Sequence, residues 1–482
     1  MSDAGNSAWS HDELATLLDG TWVVPPGANA PSITGASLDT RSLRAGQAFF
    51  AFRGEQTDGH RYLPRASDAG ASLAIVEAEP PSTPNLPTLR TASSERALVA
   101  WATAHRARLN RTRVVGVTGS VGKTTTTRLI DAALSTSRRG RASIKSYNNR
   151  LGVSLTVLNA TSNLDYLVCE MGMNAAGEIA ELAEIARPTI GVITAIGRAH
   201  IEALGSIEAI AREKAQVYRT LGRDDVAIGP AATPTLDPHW PAGVRRVLVG
   251  EHTDATVRIS SIDASSDRVS FELADGARFI VPIAGGHNAH HAAIAVAVAR
   301  EFGIDDDSIA EGLARVAPPE GRLTIRQVGS VTIIDDAYNA SPESMYAAIT
   351  TLCQHPTSGR RIAILGDMLE LGAHSEAVHR EIGKRLASET AIDRCVLIGT
   401  AMAHAADAMG SRAALRLADT EEDGAIERAV EHVAPGDVVL VKASRGLRLE
   451  RVVDRLCTRF EAPGPVATLG GSAATGRDRQ RT

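Results

Sequence analysis

The chain has 482 residues, 44% of them apolar, which is enough for a sizeable core and for about three domains at the usual ~150 residues each. A formal net charge of −5 argues against a nucleic-acid-binding surface. Met1–Ser10 shows no export signal and no apolar run reaches membrane-spanning length, so a cytoplasmic protein without membrane insertion is expected.

Residues 1–108 read as a small α/β module. A helix is expected at His11–Leu18, an apolar strand at Ala48–Phe52, and a second strand-like run at Gly70–Val76. Asp39-Thr40-Arg41 precedes the first strand, and the polar turns Arg53-Gly54-Glu55 and Asp58-Gly59-His60 follow it. Such hydroxyl and charged groups gather at strand ends, where open sheets bind ligands. Pro80–Pro87 is a loop, and a helix at Ser93–Leu109 leads into the next unit.

Val114-Val115-Gly116-Val117-Thr118-Gly119-Ser120-Val121-Gly122-Lys123-Thr124-Thr125-Thr126 reads as a buried strand, a glycine turn and the first turn of a helix. Gly119 and Gly122 let successive N–H groups point into one concavity, and the helix N-terminus adds partial positive charge. Lys123 can reach β/γ-phosphate oxygens, and Thr124 can ligate Mg²⁺. The position five before Gly122 is Val117, so this is a shortened T-G-S-x-G-K-T nucleotide loop, with Gly119, Ser120, Val121, Gly122, Lys123, Thr124 and Thr125 around ATP phosphates.

From residue 109 to 318 strands and helices alternate. Tyr166–Cys169 ends at Glu170, and Thr189–Thr194 leads to His200. That rhythm implies a parallel sheet covered by helices, with Glu170 and His200 on the face that carries the phosphate loop. Thr124, Glu170 and His200 are candidate ligands for one or two Mg²⁺ ions. Ala255–Ile283 changes to an alternating pattern and suggests an antiparallel hairpin. Gly285-Gly286-His287-Asn288 then opens an Ala/His-rich helix, for which Asn288 alone would be an ordinary N-cap.

The pattern restarts over residues 319–460. Four strands, Val331–Asp336, Arg361–Asp367, Cys395–Gly399 and Asp437–Lys442, end in glycine or polar groups and are separated by helices, the mark of a doubly wound α/β domain. Residues 461–482 lack periodicity and are expected to be disordered. The four cysteines are far apart and are expected as reduced thiols. Among 51 Lys+Arg residues the only lysines are Lys123, Lys145, Lys214, Lys384 and Lys442, so a surviving lysine points to a compact ammonium or a deprotonatable amine, Lys384 on a polar helix face excepted.

Three segments are the most specific: Asp335-Asp336-Ala337-Tyr338-Asn339-Ala340-Ser341-Pro342, Leu365-Gly366-Asp367-Met368-Leu369-Glu370-Leu371-Gly372, and Tyr147-Asn148-Asn149-Arg150-Leu151-Gly152-Val153. With Ala199-His200-Ile201-Glu202 and Lys214 they resemble the Mur ligase family over about residues 30–460. Within it they are similar to the branch that adds D-alanyl-D-alanine to UDP-N-acetylmuramoyl-tripeptide; the Asp-Asn-Pro-Arg signature of the diaminopimelate- and lysine-adding branches is not found. The resemblance implies a UDP-sugar-binding domain (1–108), a central P-loop ATP-binding domain (109–318) and a C-terminal Rossmann-like ligase domain (319–460), acting as a monomer with ATP and Mg²⁺. It implies Lys123 on the phosphates, Thr124 and Glu170 on Mg²⁺, His200 at a second metal, and Lys214 as a carbamate. Asn288 would face adenine, Asp336 the ribose and Arg322 the γ-phosphate. Lys442, Ser444 and Arg445 would lie near the acceptor, with Asn148, Asn149, Tyr338 and Asn339 also on the substrates. Asp39, Thr40, Arg41, Asp58, Gly59 and His60 match the UDP-sugar segment. The chemistry implied is carboxylate attack on the γ-phosphate, an acyl phosphate, then attack by the amine of the dipeptide.

Three positions depart from that pattern. His291 stands where a second asparagine contacts adenine, Ser341 replaces an asparagine, and Ala443 replaces a glycine, with a strain of ~1 kcal/mol if that position needs positive φ. A P-loop switch or motor NTPase is the alternative of another class, disfavoured because no separate Asp-x-x-Gly switch segment follows the phosphate loop within 109–318 and because a third domain suits a second substrate. A folate polyglutamylating ligase is disfavoured by the Asp-Asp-x-Tyr-Asn-Ala and Gly-Asp-Met-x-Glu-Leu-Gly segments, and a non-catalytic homologue by intact Lys123, Glu170, His200 and Lys214.

Overall fold

The apolar runs that mark the βαβ rhythm all become strands in the computed structural model, which describes residues 8–54, 57–80, 85–144, 146–410, 414–421 and 424–461. Glu55, Lys145, part of the Pro80–Pro87 loop and the expected tail from 462 onward lie outside the described residues. The described residues form three sheets of five, nine and six strands.

The first sheet runs Thr21–Val24, Thr88–Arg90, Leu73–Val76, Ala48–Phe50, Ala36–Ser37, antiparallel at the first pair and parallel beyond it. Sequence reading finds only its two most apolar strands. The others, Thr21–Val24 and Ala36–Ser37 at the edges and Thr88–Arg90 between the first edge and Leu73–Val76, are only two to four residues long and leave little pattern.

The central sheet is parallel from Gly140–Ala142 through Tyr166–Glu170, Arg113–Thr118, Ile190–Ile193 and Val226–Pro230 to Arg245–Gly250. Its middle strands are buried on both faces, as near-continuous Val/Ile runs require. The expected antiparallel hairpin is present and extends to a three-stranded meander (Val257–Ala264, Val269–Leu273, Arg278–Val281). It joins the sheet through parallel pairing of Val257 with Val249.

The third sheet contains the four expected strands and two more. Thr324–Val328 pairs antiparallel with Val331–Asp336, and Ala414–Leu417 closes the far edge. Both are partly exposed edges with mixed polar and apolar residues, so neither stands out in sequence. None of the four cysteines forms a disulfide, and no helix among the described residues is long and apolar enough to cross a membrane.

Candidate active site

The phosphate loop is built as the glycine spacing requires. The strand Arg113–Thr118 runs into Gly119 at φ 152°, then into Gly122 at φ 80°, which caps the helix Lys123–Ser135 in the left-handed region. Neither glycine has room for a side chain: a Cβ on Gly119 would overlap the Thr194 hydroxyl, and one on Gly122 would overlap the His291 ring. Lys123 Nζ donates to Gly119 O at 2.9 Å, folding back over the loop, and burial lowers its pKa against the attraction of Glu170.

Glu170 ends the strand beside the loop and is 1% exposed. Its Oε1 accepts from Asn148 Nδ2 at 2.8 Å, while Oε2 is buried without a partner. Thr124 Oγ1 is likewise buried and unpartnered. Two orphaned hard oxygens, one at the end of the strand beside the phosphate loop and one in the first turn of the loop's helix, are the donor type Mg²⁺ takes, so these residues fit the ion. No cluster of three or more His, Cys, Asp or Glu side chains suited to a metal exists among the described residues, so any site there relies on Thr124, on a modified Lys214 or on substrate oxygens. Lys214 is 1% exposed, close enough to Lys123 for the two positive charges to oppose each other, and desolvation takes its pKa well below the ordinary lysine value.

The third unit closes the other side. Lys442 Nζ pairs with Asp336 Oδ2 at 2.6 Å and donates to Asn339 O at 2.9 Å, both side chains being buried. Burial raises the Asp336 pKa, opposed by Lys442. The Arg322 guanidinium lies 4.4 Å and that of Arg445 5.6 Å from the centre of the Tyr338 ring. Ser444 Oγ accepts from Leu369 N at 2.9 Å. His200 Nδ1 meets Glu370 Oε2 at 2.5 Å across the junction, and that hydrogen bond lowers the Glu370 pKa.

One cavity of about 890 Å³ gathers most of the expected residues: Ser120, Val121, Gly122, Lys123, Thr125, Asn148, Asn149, Glu170, His200, Asn288, Arg322, Asp336, Tyr338, Asn339, Lys442, Ser444 and Arg445. Gly119, Thr124 and Lys214 lie off its wall, as do the expected UDP-sugar residues Asp39, Thr40, Arg41, Asp58, Gly59 and His60. Asp39 and Arg41 form an exposed ion pair at 2.7 Å. Asp58 caps the turn Gly59–Tyr62 and holds His60 Nδ1 at 2.6 Å.

Asn288 is not a helix N-cap: His287 takes that position, and Asn288 Nδ2 donates to Ala284 O at 2.7 Å. Ala443 has no positive φ, so the expected strain is absent. Ser341 has a use of its own, capping the helix Pro342–Gln354 in a reciprocal pair with Ser344. His291 is buried, with Nδ1 unpartnered, and burial lowers its pKa to about 3. Glu343 and Glu370 of the third unit line the wall and are not among the residues expected from sequence; they meet Arg198 and His200 of the central unit only through the tertiary fold.

Three family profiles match in chain order: Mur ligase family, catalytic domain (residues 32–107), Mur ligase middle domain (117–299), and Mur ligase, glutamate ligase domain (321–445). The UDP-N-acetylmuramoyl-tripeptide--D-alanyl-D-alanine ligase of Bacillus subtilis is 36% identical over 448 residues, covering 92% of this chain and 97% of its own. The chain belongs to the Mur ligase family. The Escherichia coli protein of the same name is 32% identical over 440 residues, covering 88% and 94% of the two chains. Among solved structures, MurF from Acinetobacter baumannii superposes with a TM-score of 0.82 at 28% identity over 94% of this chain and 99% of that one. MurF ligase from Thermotoga maritima, solved in complex with ADP, gives 0.73 at 28% identity over 88% and 97%. As a Mur ligase this chain is an ATP-dependent, ADP-forming ligase of peptidoglycan synthesis.

Proposed function

We propose that the chain joins D-alanyl-D-alanine to the terminal carboxylate of UDP-N-acetylmuramoyl-tripeptide, in the cytoplasm and as a monomer. The observation that carries this is the single cavity in which the phosphate loop and Glu170 face Arg322, Lys442 and Arg445 of the third unit. Lys123 and the loop amides bind the ATP phosphates, and Asn288 and Asp336 face the nucleoside. Arg322 steadies the γ-phosphoryl group as the tripeptide carboxylate oxygen bonds to phosphorus and ADP leaves. The dipeptide amine, near Lys442, Ser444 and Arg445, attacks the acyl carbon, loses a proton and expels phosphate. Asn148, Asn149, Tyr338 and Asn339 position the two peptides; Asp39, Thr40, Arg41, Asp58, Gly59 and His60 hold the UDP-sugar. Closure excludes water from the acyl phosphate.

Thr124 and Glu170 would hold Mg²⁺, with His200 and a carbamylated Lys214 at a second ion, and the metal supplies charge neutralisation on the phosphate oxygens when bound. Carbamylation needs a neutral amine, and burial shifts Lys214 towards that form. A heavy-oxygen label in the tripeptide carboxylate tests the route: one labelled atom should appear in the released phosphate. Label-free phosphate alongside peptide product would rule out the acyl phosphate.

A further inference from the structure

The segment after the strand Ile190–Ile193 is stitched to the phosphate loop on one side and to the third unit on the other. Towards the loop, Thr194 Oγ1 donates to Val121 O at 2.5 Å, and Ser120 N donates to Ala195 O at 2.8 Å. Ser120 Oγ also donates to Gly197 O at 3.0 Å and accepts from Gly197 N at 2.9 Å. The next residue turns the other way. Arg198 N donates to Glu343 Oε1 at 3.1 Å, Arg198 Nε to the same oxygen at 3.3 Å, and Nη1 to Glu381 Oε2 at 2.8 Å.

Glu343 stands in the first turn of the helix Pro342–Gln354, and its other oxygen is buried without a partner, so its hydrogen bonds run to Arg198 alone. The approach leaves no slack: a Cβ on Gly197 would lie 2.7 Å from Glu343 Cδ. Arg198 does not line the cavity, and the ligation chemistry gives neither Arg198 nor Glu343 a task.

We propose that Arg198 and Glu343 are positioning residues. Their pair transmits the seating of the third unit through Gly197 to Ser120, so the phosphate-loop amides take their working arrangement only when that unit is docked. An ordinary interface ion pair would add stability and leave the loop unaffected; the two cases are separable.

The test is a double-mutant cycle on the ligation rate with ATP, the UDP-linked tripeptide and the dipeptide. Glu343→Gln should lower kcat about ten-fold, or ~1.4 kcal/mol, with less than a two-fold change in KM for ATP. Ser120→Ala should cost a similar factor, and the double variant should be no worse than either alone, because both cut one chain of contacts. Glu376→Gln, at an exposed pair with Arg380, should change nothing. Additive losses, or a lowered unfolding temperature at unchanged kcat, would overturn the coupling. Should Glu343→Gln fail to fold, Arg198→Lys, which keeps the charge but loses the fork, carries the same expectation. The rate assay rests on the proposed ligation; amide hydrogen exchange does not. Exchange over residues 118–125 should speed up in Glu343→Gln, and unchanged exchange would refute the coupling while leaving the ligase reading intact.

Discussion

Gly122 is where the loop's geometry can be tested most sharply. Its φ of 80° lies in the left-handed region, so Gly122→Ala carries roughly 1 kcal/mol of backbone strain. The larger effect is steric. The new Cβ would lie 2.7 Å from His291 Nδ1 and closer still to Cε1. That ring cannot easily swing aside, being 6% exposed and packed edge-on against His287 at 6.0 Å. The loop must therefore move instead, by about 1 Å, and a displacement of that size near reacting groups costs about 100-fold in rate. ATP-dependent phosphate release measures it. Adding His291→Ala removes the obstacle and should recover all but the strain, leaving a deficit of about five-fold. A Gly122→Ala enzyme of near-normal rate, or a double variant as slow as the single, would refute the packing argument.

Lys214→Ala should be severely impaired and partly restored by small carboxylic acids in the assay, while Lys214→Arg stays inactive, since guanidinium cannot form a carbamate; wild-type activity in the arginine variant would exclude the carbamate. Lys442→Met should lose about 3 kcal/mol of unfolding free energy in urea, because it strands the buried Asp336 carboxylate, and adding Asp336→Asn should recover part of it. His287 and His291 give a pH dependence whose sign is fixed: burial lowers them from 6.5 to about 4 and about 3, so the unfolded chain binds protons first as pH falls. Stability should be complete above about pH 6.5 and decline towards pH 4 and below, and His291→Asn should flatten that decline in urea midpoints compared at pH 7 and pH 5.

The phosphate loop is legible in sequence because its strand, glycines, lysine and threonine are contiguous, and local backbone requirements leave a local record. Arg113–Thr118, Tyr166–Glu170 and Ile190–Ile193 of the central sheet and the four inner strands of the third are legible for the same reason, as buried Val/Ile runs, whereas Val226–Pro230 and Arg245–Gly250 are not read from the sequence. The edges are not: Gly140–Ala142 and Thr324–Val328 bury too little for pattern to show. Nor is Arg198, whose partner Glu343 is 145 residues away and is brought to it only when two units pack. Asn288 marks the limit of residue-type reasoning, since the backbone places the helix start one residue earlier than its cap-like chemistry suggests.

The central claim is that phosphate transfer here serves amide bond formation with D-alanyl-D-alanine. Phosphate release should be measured with ATP and UDP-N-acetylmuramoyl-tripeptide, with and without the dipeptide, alongside mass spectrometry of the nucleotide-sugar product. Steady release should require the dipeptide and match one-for-one a product heavier by the dipeptide minus water. Sustained release that ignores the dipeptide, or a tripeptide left unextended while ATP is consumed, would contradict the account.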